Sequence, residues 1–197
     1  MTEYAKLQNK LRWECREWWR KLNGVDSDGV ADRMLADRKS RAELRRIGSR
    51  ASEAGDALNL ASAYAVDRFY RLRDRCAELG VRIHDESIAL AAAVLAHVDI
   101  DLQDQVETAS LLGDGDPPVF AEARFKRLIR TDQPAELLPQ LVRAVKILGK
   151  AAPVGELGAS LLLWGPTVKK RWAFAYWQRK YIPAELPENP EQPTLAA

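Results

Sequence analysis

At 197 residues the chain is long enough to bury a sizeable core, and a hydrophobic share of 47% is that of a folded protein rather than a disordered one. The formal net charge is only +2, so the total by itself points to neither a basic nor an acidic partner. The longest apolar run, Ile88 to Ala96, is far below the roughly 20 residues that span a bilayer, and five cations from Lys6 to Arg20 do not fit a secretory signal, so a cytoplasmic protein without membrane contact is expected.

Hydrophobic spacing is helical almost throughout. Tyr4, Leu7, Leu11, Cys15, Trp18 and Leu22 recur every three or four residues and predict a first helix ended by Asn23-Gly24. Ser40 and Glu43 match a capping box, which predicts a short helix from Arg41 to about Ile47. Leu44 and Ile47 fall on one side of it, with Arg41, Arg45 and Arg46 opposite. A longer helix is expected from Leu60 to Leu79, stopped by Gly80, and an Ala-rich one starts near Asp85 or Ser87 and reaches His97. The acidic stretch from Asp99 to Pro118 reads as a connecting loop holding at most one helical turn.

Beyond it Ala121, Phe125, Leu128 and Ile129 form an apolar stripe flanked by Arg124, Lys126, Arg127 and Arg130. Pro134 opens a helix whose Leu138, Leu141, Val142, Val145 and Leu148 face the core, with Arg143, Lys146 and Lys150 along one flank. Gly165-Pro166 breaks the chain before a last helix rich in aromatics. The expected fold is all-α: a compact bundle of about eight helices in two packed halves. A single domain covers residues 1–182, with halves 1–98 and 119–182 about the connector 99–118. The Pro- and Glu-rich tail 183–197 is expected to be disordered.

Charge is segregated. From Arg33 to Arg50 seven cations stand against two acids, whereas Asp99, Asp101, Asp104 and Glu107 stand without a cation between them. Arginine forks match phosphate oxygens, so the basic faces are candidate phosphate surfaces. Lys169, Lys170 and Arg171 at the start of the last helix oppose its dipole, which a bound anion would explain better than folding does. The aromatics, Trp172 with Tyr176, Phe174 with Trp177 and Tyr181, and Trp13, Trp18 and Trp19, read as core or interface packing rather than base stacking.

Nothing points to catalysis. Cys15 and Cys76 lack metal or redox spacing and read as reduced thiols. His84-Asp85-Glu86 is what a helix start favours in any protein, and His97 lacks a second-ligand pattern. No phosphate loop or nucleophile motif occurs, and neither a metal nor another cofactor is expected.

The Trp-rich first helix, Arg41-Ala-Glu-Leu-Arg45-Arg46, Arg124-Phe-Lys-Arg-Leu-Ile-Arg130, Leu141-Val-Arg143 and Trp164 through Tyr176 together resemble the CasB family, the small subunit of the type I-E CRISPR surveillance complex Cascade. The chain departs from the pattern at Gly158, Ser160 and Gly165-Pro166. The resemblance implies a non-catalytic all-α subunit, present in two copies beside the backbone and large subunits. It would contact the phosphates of CRISPR RNA and target DNA, including the displaced strand. The implied phosphate-facing residues are Arg38, Lys39, Arg41, Arg45, Arg46, Arg124, Arg127, Arg130 and Arg143, to which helix-terminal charge adds Lys169 and Lys170. The competing reading is a helical protein-interaction scaffold without direct nucleic-acid contact; a metal-dependent nuclease using His84 and Asp85 has the least support.

Overall fold

The computed structural model describes residues 3–26, 29–32, 34–50, 60–103 and 106–178. Arg33, Asp104, Tyr181, the tail 183–197 and the side chain of Arg50 lie outside the described residues. The chain is all-α: its described residues form nine α-helices, one 3-10 helix and a single pair of two-residue strands.

Helix α1 (Glu3–Asn23) buries Leu11, Cys15, Trp18, Trp19 and Leu22 along one stripe. It stops at Gly24, whose φ of +65° and close approach to the Asp32 carbonyl leave no room for a side chain. Helix α2 (Arg38–Arg50) begins before the expected Ser40 capping box, because Asp37 takes that role: its Oδ1 accepts the Ser40 N–H at 3.1 Å. The other Asp37 oxygen accepts Arg68 Nε at 2.8 Å. Burial alone would raise the Asp37 carboxyl, but hydrogen bonds from Arg68 and Ser40 hold it below the usual range.

The helix expected over Leu60–Leu79 is two pieces, a 3-10 helix (Leu60–Ala65) and α3 (Asp67–Glu78), separated by Val66 in an extended conformation. Leu60, Ala63 and Val66 are all buried, and a three-residue spacing lines up on a 3-10 helix rather than an α-helix. Asp67 then favours a fresh N-terminus.

Helix α4 (Asp85–Ala96) is buried continuously from Ile88 to Ala96 and forms the centre of the fold. It packs on α2 and α3, and on two later helices, α7 (Pro134–Ile147) and α8 (Val154–Leu162). The connector is more structured than a loop. Its Ile100–Asp101 (β1) pairs in parallel with Ala151–Ala152 (β2), a contact too short to leave an alternation signal. Its α5 (Thr108–Leu112) buries Thr108, Ala109 and Leu112 and packs on the last helix.

The remaining elements are α6 (Glu122–Arg130), α7 (Pro134–Ile147), α8 (Val154–Leu162) and α9 (Pro166–Gln178). Phe125 and Leu128 of α6 are buried, as its apolar stripe requires. Helix α8 is buried along its whole length and is the main partner of α1. A Cβ on Gly158 would lie 2.6 Å from Cys15 Cβ, so glycine is what lets these two helices touch. The N-terminal helix therefore shares one core with the C-terminal stretch.

Candidate nucleic-acid interface

Two sets of exposed cations emerge. On α2, Arg38, Lys39 and Arg46 are exposed, and α2 packs against both α4 and α7. On α7, Arg143 and Lys146 are exposed. The charges of Arg45, Lys146 and Lys150 converge on His97, so α2 and the end of α7 form one basic ridge over the C-terminal end of α4. His97 itself is buried with its Nε2 unpartnered, and its pKa falls to about 4, first through burial and then through those three cations.

Arg41 and Arg45 are less available than a helix face suggests. Arg45 Nε donates to the Ala96 carbonyl at 2.7 Å, and Arg41 donates to Ala96 and Val98 carbonyls at 3.3 Å each. Both guanidinium groups also bind Asp99, Arg45 at 2.5 Å. They close a helix end as well as facing solvent, and their side chains are 24% and 32% exposed. Burial would raise the Asp99 carboxyl, but Arg45, Arg41 and Lys150 hold it below its ordinary value.

The second set lies on α6, where Arg124, Arg127 and Arg130 are exposed. Lys126, Arg127 and Arg130 edge a groove whose other wall carries Asp132 and Glu136. Helix α6 packs on α7 and α9, so the second set lies on a neighbour of the α7 helix that carries part of the first.

At the start of α9 the structure supplies a folding reason for charges that the dipole argument assigned to a ligand. Lys169 pairs with Asp132 and lies 5.9 Å above the Trp164 ring. Arg171 Nη2 donates to Glu156 Oε1 at 2.9 Å, and its Nε lies 3.4 Å from Glu107. Lys170 remains exposed, 5.9 Å over the Phe174 ring.

Most of the aromatics are core. Trp172 is fully buried, edge-on to Trp164, and Tyr176 stacks on Phe125 at 3.8 Å while its hydroxyl donates to the Phe120 carbonyl. Trp18 and Trp19 donate to the carbonyls of Arg68 and Val98. Trp13 does not follow its neighbours: it is 57% exposed, on the polar side of α1 beside Glu17, and Phe174 is 59% exposed. Cys15 and Cys76 are buried and form no disulfide, and burial, followed by nearby Glu14, pushes Cys76 up to about 12.

Residue types placed Lys150 on a basic flank and Asp99 in an acidic stretch without pairing them, and did not single out Glu156. Lys150 and Asp99 meet only because the Lys150 carbonyl accepts the Asp99 N–H at 2.8 Å, joining the end of α7 to the connector. Glu156 is a lone acid in an apolar helix, a signal visible in the sequence but without meaning until its partners are placed.

The profile of the family described as CRISPR-associated protein Cse2 matches residues 40–177. The chain belongs to the Cse2 family. This is the CasB family of the sequence resemblance, a structural subunit of the type I-E Cascade complex, and the chain is therefore a Cascade subunit. The span matched to Cse2 starts within α2 and ends within α9, and so contains every candidate phosphate-facing residue except Arg38 and Lys39. No curated protein and no solved structure matches the chain. Among the described residues no helix is long and apolar enough to cross a membrane, and no cluster of three metal-ligating side chains occurs.

Proposed function

We propose that this Cascade subunit holds nucleic acid without catalysis, gripping the phosphates of the CRISPR RNA-guided target DNA and of the displaced strand. Arg38, Lys39 and Arg46 on α2, Arg143 and Lys146 on α7, and Arg124, Arg127 and Arg130 on α6 make the primary contacts, with Arg41, Arg45 and Lys170 at their margins. The observation that carries this reading is the convergence of cations from α2 and α7 over one helix end, in a chain whose overall charge is near neutral. Among the described residues no element is set up to enter a groove and read base edges, so binding is to the backbone and insensitive to sequence. The exposed Trp13 and Phe174 fit contacts with neighbouring subunits or a second copy of the chain.

The test is a gel-shift titration with single- and double-stranded DNA and RNA of unrelated sequences. Weak binding that falls steeply with salt is expected, through counterion release. A variant with Arg38, Lys39, Arg46 and Arg143 replaced by Ala should retain its melting temperature, bind several-fold more weakly and still enter Cascade. A variant that binds normally but fails to assemble would make these residues protein contacts and favour the scaffold reading.

A further inference from the structure

The strongest feature that the proposed function leaves unused is Asp99. Its Oδ1 receives the terminal guanidinium nitrogens of both Arg41 and Arg45, and its Oδ2 faces Lys150 Nζ at 3.3 Å. The backbone fixes this arrangement. Asp99 N–H donates to the Lys150 carbonyl, and Lys150 adopts a φ of +63°, a left-handed conformation that a side-chain-bearing residue rarely takes. Three cations thus surround one carboxylate whose side chain is still 38% exposed. Two anionic oxygens held between a pair of guanidinium forks and an ammonium is also how a phosphodiester is held.

We propose that Asp99 is an internal stand-in for a backbone phosphate. In the free chain its carboxylate occupies the Arg41–Arg45–Lys150 cradle, and a nucleic-acid phosphate takes the cradle by displacing it. This rests on the phosphate-binding reading of the ridge and adds its regulation. Asp99 lowers the affinity of the unassembled subunit for stray nucleic acid, and it yields where Cascade holds the backbone against the ridge. Because Arg41 and Arg45 also bind the carbonyls of Ala96 and Val98, the cradle keeps its shape when the carboxylate leaves.

The experiment compares Asp99→Asn with Asp74→Asn, an exposed position on α3 that changes the net charge equally. Thermal melts accompany both, and the asparagine amide oxygen can still accept from the arginines. Asp99→Asn should bind DNA about fivefold more tightly than Asp74→Asn, with a log affinity against log salt slope steeper by up to about 0.9 for each duplex phosphate gained. Lys150→Gln gives an independent reading: it should weaken binding several-fold in the Asp99→Asn background and by a smaller factor in the wild-type chain, where its loss also weakens the competing Asp99 contact. Wild-type binding with Asp99→Asn equal to or weaker than Asp74→Asn overturns the stand-in and leaves the function standing. Absence of binding by the wild type and all variants overturns both.

Discussion

Arg45 Nε donates to the carbonyl oxygen of Ala96 at 2.7 Å and thereby closes the C-terminal end of α4. That end lies in a helix buried from Ile88 onward, where water is not at hand to satisfy the last carbonyls. The guanidinium charge also complements the negative end of the helix dipole. Replacing Arg41 and Arg45 together by Ala should therefore lower stability by about 2–4 kcal/mol, since hydrogen bonds to charged groups contribute roughly 1.5–3 kcal/mol. Replacing Lys39 and Arg46 should change it by less than about 0.5 kcal/mol. Urea denaturation of the two variants checks the contrast. Equal midpoints would mean that the cap is solvated after all.

Glu156, 1% exposed, is the hub of the C-terminal helices. One of its oxygens accepts Thr108 N–H at 2.9 Å and Thr108 Oγ1 at 2.6 Å. The other accepts Ser160 Oγ, Arg171 Nη2 and Trp172 Nε1. The carboxylate ties α5, α8 and α9 together, and its removal takes the acceptor from Thr108 and the buried counter-charge from Arg171, leaving Arg171 and Trp172 only Ser160 Oγ to share and Glu107 at 3.4 Å from Arg171. Glu156→Ala should cost about 3–5 kcal/mol, the usual penalty for breaking a buried ion pair from one side. A calorimetric melt within a degree or two of the wild type would show that the network is dispensable.

The aromatics of α9 and of its neighbour α6 divide by burial. Trp172→Ala and Phe125→Ala should each cost about 3–5 kcal/mol through cavity formation. Phe174→Ala, at an exposed position, should cost under about 0.5 kcal/mol and act instead on assembly. Melting curves of the three proteins, with Cascade reconstitution for the last, separate the roles. A strong loss of stability in Phe174→Ala would contradict the exposed placement.

The all-α class was legible because α4 and α6 advertise themselves: nine consecutive apolar positions from Ile88 in one, and a Phe125–Leu128 stripe in the other. The working partners of the arginines were not. Arg41 and Arg45 bind a carbonyl 55 and 51 residues away, and a backbone oxygen leaves no mark on residue type. Lys169 illustrates the same gap. Its charge opposes its own helix dipole, which reads as a ligand site until Asp132 is seen to supply the counter-charge from another element. The family match adds the Cascade context, which neither helical spacing nor charge contains.

His97 gives the fold an acid-sensitive point. It caps α4 and is faced by Arg45 from α2, by Lys146 and Lys150 from the end of α7, and by Asp99 from the connector. Its pKa of about 4 in the fold lies below the ordinary 6.5, so the unfolded chain takes up the proton first as pH falls. Stability is thus full above about 6.5 and declines between 6.5 and 4, by about 2 kcal/mol from pH 7 to pH 5. Other groups add their own slopes. Asp99 and Asp37, held below 3.8, lose their contribution only at still lower pH. Glu14 and Glu107 are both raised by burial and act in the opposite sense, favouring the fold as pH falls toward 4.5. The His97 part is isolated by comparing the wild type with His97→Gln in urea at pH 7 and pH 5. The variant should lose about 2 kcal/mol less than the wild type over that interval. Equal losses in the two proteins would show that His97 titrates in the fold as it does in water.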